Sequence, residues 1–361
     1  MALSQVDSMV RAGAMAEDVM AYLVLARGVN RRGNKRISTH SANSIVTRTG
    51  MSHRKATESV EWLRTHGYIS PADQKTPEQT DKGKGHRPRW LLVEAVDTLE
   101  IYLANALTDG VGGRGKKNPP LTRIYAESMN QSGLVSEARL DSLMVLLHLY
   151  RHQDIEACGG IDPRAGIYRE WVTAENTLGE SKTELPGTNA ALYEVASSVS
   201  PVFTKFAAEA LFYIPDEDER HHRFRNALRN LHRLNFVYEV LQVWSGNPNG
   251  KDGRKAEPLY TLYIHDRHAR EREPYLSREI HNAAIRLDAM DGYAEFAGHN
   301  DDGENILHTG RFRYVATSKQ GAFPIGIYRL NFRPNTREVG IGIDAERSRV
   351  QKWAASLNAL K

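Results

Sequence analysis

The chain has 361 residues, 48 Lys/Arg against 44 Asp/Glu, and one cysteine, Cys158. That length accommodates two or three domains with cores of their own. A single cysteine excludes an intramolecular disulfide framework and a cysteine-rich zinc site, and no apolar run is long enough to span a bilayer.

The N-terminal segment lacks the basic-then-apolar order of a secretory signal, so a cytoplasmic, nucleoid-associated location is expected. The net charge of +4 is unevenly spread. Residues 1–95 hold 15 Lys/Arg and 9 Asp/Glu, while the remainder is slightly acidic. A basic excess confined to one region suits a polyanionic partner.

Residues 16–27, AEDVMAYLVLAR, read as an amphipathic helix with Val19, Tyr22, Leu23 and Ala26 along one side. A basic connection with Arg31, Arg32, Lys35 and Arg36 follows. In residues 42–67, ANSIVTRTGMSHRKATESVEWLRTHG, Ile45 and Val46 mark a short helix and Gly50 its left-handed stop. Ser52 is placed to cap a second helix, in which Ala56, Val60 and Leu63 share one face. The other face presents His53, Arg54, Lys55, Thr57, Glu58 and Glu61, donors and acceptors on a rod that a major groove can admit. Gly67 ends that helix, and Tyr68-Ile69 begin an extended run. A glycine-rich basic loop with Lys82, Lys84, His86, Arg87 and Arg89 leads to a second run at residues 90–93. The expected core is Leu23, Ile45, Val60, Leu63, Ile69 and Leu92.

The order Thr49-Gly50-Met51-Ser52, then Ala56, Val60, Leu63, Gly67 and Ile69, resembles the winged-helix branch of helix-turn-helix proteins. The resemblance covers about the first quarter of the chain. It implies a DNA-binding domain over residues 1–97, with the helix at 52–66 in a major groove. Arg54 and Lys55 would face guanine edges, and Ser52, His53 and Thr57 bases or phosphate. Arg31, Arg32, Lys35, Arg36, Lys82, Lys84, Arg87 and Arg89 would hold the backbone. The bare pattern also fits an ordinary helical hairpin with a solvated face; the flanking charge favours DNA.

Residues 97–108 read as a helix through Leu99, Ile101, Tyr102, Leu103 and Leu107, inside a connecting segment at 98–120. Gly110, Gly115 and Lys116 imitate a phosphate-binding loop, but Lys117 stands where Ser or Thr would hold magnesium. A flexible basic linker is the better reading, with Arg114, Lys116 and Lys117 able to touch phosphate.

A second winged-helix-like domain is expected over residues 121–268. Residues 140–149, LDSLMVLLHL, predict a buried helix, 167–172 a strand, and 190–214 helical stretches broken at Pro201. Residues 216–237 then repeat the earlier theme. Phe224, Leu228 and Leu231 take the i, i+4, i+7 places, Asn235 stands where Gly67 stood, and Val237 matches Ile69. The outward side carries His221, His222, Arg225, Asn226 and Arg229. Extended runs at 236–244 and 258–264 flank a loop with Lys251, Arg254 and Lys255. The competing reading is an α+β domain with a solvated basic helix.

Residues 275–361 predict a small α+β domain: a helix at 275–290, strands at 311–317, 325–332 and 339–343, and a closing helix at 345–360. The fold class expected is α+β, mainly helical with small β wings, as tandem winged helices plus this last domain. His221, His222, His265 and His268 lack partners at metal-binding spacing, and Asp291, Asp301, Asp302 and Glu304 read as an exposed acidic loop. No nucleophile elbow, dinucleotide fingerprint or credible P-loop is present, so no enzyme, cofactor or metal is expected.

The function expected is sequence-specific double-stranded DNA binding by a bacterial or mobile-element transcriptional regulator. The first alternative is a plasmid or phage replication initiator, whose paired winged helices this layout resembles. A third is a DNA-processing enzyme that uses winged helices for targeting. The expected partners are duplex DNA and a second copy of the chain, through the C-terminal or second domain, with no membrane.

Overall fold

A computed structural model describes residues 2–30, 36–72, 89–93, 101–110, 119–130, 136–154, 160–173, 182–184, 190–198, 201–248, 256–264, 312–317 and 323–334, with Ile341, Asp344, Ala345 and Ser348 beyond them. They form a mixed α/β structure with antiparallel sheets. Among them no helix is long and apolar enough to cross a membrane. The chain divides into two units, residues 1–151 with 209–236 and 332–334, and residues 152–208 with 237–331 and 335–361.

The first unit opens with α1 (Leu3–Arg11), whose Leu3, Val6, Met9 and Val10 are buried at helical spacing. Next comes α2 (Ala16–Arg27), started by the Met15 N–H donating to the Asp18 carboxylate at 2.9 Å. The pattern of α2 predicts one buried side, but every residue from Ala16 to Leu25 is buried. The reason is that α2 is packed on opposite sides. It meets α3 (Ala42–Thr49) and α4 (His53–Thr65), and it also meets α7 (Ser136–Arg151), a later helix of the same unit. Its Glu17 accepts from Arg139 of α7 at 2.8 Å, which offsets the cost of burying a charge.

A small sheet completes this part. Its strands are β1 (Val29–Asn30), β2 (Ile37–Ser38), β3 (Ile69–Pro71) and β4 (Trp90–Leu92), in the order β1-β2-β4-β3. The six expected core residues, Leu23, Ile45, Val60, Leu63, Ile69 and Leu92, are all buried. Residues 101–104 are not helical, and only α5 (Ala106–Asp109) forms there. Its Asp109 accepts from Arg27 at 2.6 Å and from Arg48 at 3.2 Å, so side-chain contacts rather than helical spacing set that segment.

The unit continues with α6 (Leu121–Asn130) and α7, whose Leu143 to Leu147 are buried as the apolar run predicts. The C-terminal end of α8 (Thr204–Ala210) and α9 (Glu217–Arg233) belong here too. Phe224, Ala227 and Leu231 of α9 are buried, and α9 packs on α7. Arg223 donates to Asp141 of α7 through two nitrogens, both at 2.8 Å, and the Tyr213 hydroxyl donates to the same carboxylate at 2.6 Å.

The second unit is built on a seven-stranded sheet. Its strands are β7 (Arg169–Thr173), β8 (Lys182–Glu184), β9 (Ala190–Ser198), β10 (Val237–Trp244), β11 (Pro258–Ile264), β12 (Phe312–Thr317) and β13 (Phe323–Leu330). The order is β11-β10-β13-β7-β9-β12, with β8 also on β9. A short hairpin pairs β5 (Gln153–Asp154) with β6 (Gly160–Ile161).

Three expectations differ from the structure here. Residues 190–198 read as helical because they are alanine-rich, but they form β9. Pairing with β7, β8 and β12 outweighs the weak local helix propensity. The hairpin of β10 and β11 does form, but β10 pairs on its other side with β13 over eight residue pairs, so the hairpin extends a larger sheet. Near the C-terminus Ile341 is helical where alternation suggested a strand. The expected helix at 275–290 lies outside the described residues.

Candidate nucleic-acid interface

The local geometry of α3 and α4 follows from a few residues. Gly50 adopts φ +77° and closes α3, its N–H reaching the Val46 carbonyl at 2.9 Å. Ser52 then caps α4, its hydroxyl accepting from the Lys55 N–H at 3.3 Å. Ala56, Ser59, Val60 and Leu63 are the buried face of α4. Asp18 of α2 hydrogen-bonds Ser59, and burial raises the Asp18 pKa above the ordinary carboxylate value. This contact fixes the rotation of α4 and leaves its opposite side in water.

That opposite side holds His53, Arg54, Lys55, Thr57 and Glu58, all exposed, Arg54 at 79% side-chain exposure. Arg54 Nη1 lies 3.1 Å from Glu58 Oε1, and Lys55 Nζ lies 3.4 Å from Glu58 Oε2. One carboxylate therefore bridges two cations. The Thr57 hydroxyl donates to the His53 carbonyl at 2.9 Å. Further along, Arg64 is paired with Glu61.

The ends of α4 and α9 share one device. At Gly67, φ is +76°, its N–H donates to the Arg64 carbonyl, and the Tyr68 N–H donates to the Leu63 carbonyl. At Asn235, φ is +61°, its N–H donates to the His232 carbonyl, and the Phe236 N–H donates to the Leu231 carbonyl. Both are left-handed caps with the paired bonds of a Schellman motif. The sequence match of Asn235 with Gly67 is therefore also a match of backbone.

Of the backbone-holding candidates, Arg36 and Arg89 are described. Arg36 accepts from the Leu92 N–H at 3.0 Å through its carbonyl, and Arg89 from the Ala72 N–H at 2.9 Å. Both thus flank the small sheet next to α4. Arg31, Arg32, Lys35, Lys82, Lys84 and Arg87 lie outside the described residues, as do Lys251, Arg254 and Lys255.

On α9, His222 and Arg225 are exposed. The Asn226 amide lies 3.0 Å from His222 Nε2, and Arg229 Nη1 lies 3.4 Å from Asn226 Oδ1. His222, Asn226 and Arg229 form a polar ladder on the side away from Phe224, Ala227 and Leu231. The role of Glu58 was the part sequence reasoning missed. The signal was present as cation-to-carboxylate spacings of three and four residues on one helix.

The first unit thus defines an α+β body with an exposed, cationic helix face beside a small antiparallel sheet. Comparison with known protein families, curated proteins and solved structures finds no match to this chain.

Proposed function

We propose that the chain is a sequence-specific double-stranded DNA-binding protein of the winged-helix kind, acting as a transcriptional regulator. The observation that supports it best is the face of α4. Arg54 and Lys55 project from a helix anchored through Ala56, Val60 and Leu63, next to the strands that bracket the basic loop. A rigid cationic helix is what base-edge reading in a major groove requires. Arg36 and Arg89, with the flanking basic residues, supply phosphate contacts, a term that weakens as salt rises.

The second reading, a replication initiator with two reading helices, draws on α9. It shares the left-handed cap of α4 and presents His222, Arg225, Asn226 and Arg229. Selection of duplexes from random sequence tests both readings. A single preferred motif supports a regulator, and directly repeated motifs support an initiator. Failure to enrich any motif removes the sequence-specific function.

A further inference from the structure

Glu58 is an odd residue to find on a surface meant for a polyanion. It is half-exposed, at 47% of its side chain, and sits between the two cations best placed to meet base edges. A carboxylate there is repelled by phosphate, so it weakens binding unless a base donor meets it.

Resting on the DNA-binding reading above, we propose that Glu58 is a specificity-determining residue that accepts a hydrogen bond from cytosine N4, beside the guanine read by Arg54. The chemistry of the base edges selects cytosine. Guanine offers N7 and O6 acceptors and thymine an O4 acceptor, all of which repel a carboxylate. Adenine sets its N6 donor next to the N7 acceptor, while cytosine itself presents only a donor. In a G·C pair the cytosine donor and the guanine O6 acceptor lie side by side. The 3.1 Å contact between Arg54 and Glu58 holds a donor and an acceptor side by side in the same way. The pair need not break to bind. Lys55, on the second carboxylate oxygen, limits the freedom of Glu58 and keeps that acceptor in place.

The test is duplex selection with the full chain and with Glu58→Gln and Glu58→Ala, each checked for an unchanged melting temperature. The parent motif should contain a cytosine within one base pair of the guanine whose preference Arg54→Ala removes. Glu58→Gln should lower the cytosine preference roughly tenfold and raise adenine at that position, because an amide matches adenine N6 and N7. Glu58→Ala should leave the position unread. Both variants should bind unrelated duplex a few-fold more tightly as a negative charge is removed. If the parent selects a motif and both variants keep it at full strength, Glu58 reads nothing and this inference falls while DNA binding stands. If the parent selects no motif, the functional reading falls and takes this one with it.

Discussion

Arg54 and Glu58 lie 3.1 Å apart across one turn of α4, on the side of the helix turned away from its core. An exposed pair of this kind stabilises a fold by about 0–1 kcal/mol. The pair therefore contributes little to the fold, and changing it should leave stability nearly untouched.

Reversing charge at Arg54 and Lys55 together should consequently separate binding from folding. The double variant Arg54→Glu, Lys55→Glu should lose specific duplex binding by roughly 100-fold or more, since each base contact is worth about 1–3 kcal/mol. Its thermal unfolding should stay close to the parent's. Fluorescence anisotropy with a labelled target and a melting curve give both readings. Retained affinity would remove α4 as the reading element.

The left-handed caps make a matched pair of predictions. Nothing lies near the position a Cβ would take at Gly67, so Gly67→Ala should lose stability through backbone strain alone, about 1–2 kcal/mol. Asn235→Gly relieves the same strain at φ +61° and should be neutral or mildly stabilising. Chemical denaturation of the two variants beside the parent measures both signs. Equal effects in the same direction would count against the cap argument.

His148 of α7 supplies the pH dependence. Its side chain is 1% exposed, with Nε2 3.5 Å from Asp7 and Nδ1 3.4 Å from Glu209, which also pairs with Arg151. At those separations the contacts are ion pairs rather than well-closed hydrogen bonds. Burial, the largest influence, lowers the His148 pKa, but the two carboxylates together raise it above the ordinary histidine value. A raised folded-state pKa means that the protonated ring stabilises the fold. That contribution is complete below about pH 6.5 and is lost as pH rises through the higher folded value. Urea unfolding between pH 5 and 8 should show this decline. His148→Gln should flatten it and cost about 1–3 kcal/mol at the acid end. A parent whose stability rises across that range would contradict the assignment.

Asp141 should be the most sensitive polar position between α7 and α9. Its side chain is 5% exposed and accepts from Arg223 and Tyr213. Asp141→Ala leaves the Arg223 guanidinium without that carboxylate and should cost about 3 kcal/mol. Tyr213→Phe removes one hydrogen bond and should cost about 1 kcal/mol. Differential scanning calorimetry would rank them, and the reverse order would show that the tyrosine bond matters more.

The parts of the fold legible in sequence are those fixed by local chemistry. Gly50, Ser52 and Gly67 set the limits of α3 and α4, and the spacing of Ala56, Val60 and Leu63 set the buried face. Asn235 was readable as a counterpart of Gly67 because few other residues accept that backbone. What escaped depends on partners distant in sequence. The periodicity of α2 marks one apolar side, yet Glu17 and Asp18 are buried as well, where Arg139 and Ser59 satisfy them. The alanines of β9 suggested helix, and only its pairing with β12 explains the strand. In the candidate site the individual cations could be named, but their shared carboxylate mattered only once the side chains were in space.

The grip of Arg27 and Arg48 on Asp109 bears on how strongly this protein would respond to ionic strength. Both arginines add to the positive tally of the first 95 residues, yet they share one internal carboxylate that offsets part of their charge, and Arg64 is paired with Glu61. A count of ions displaced on association would fall short of the number that the primary structure suggests.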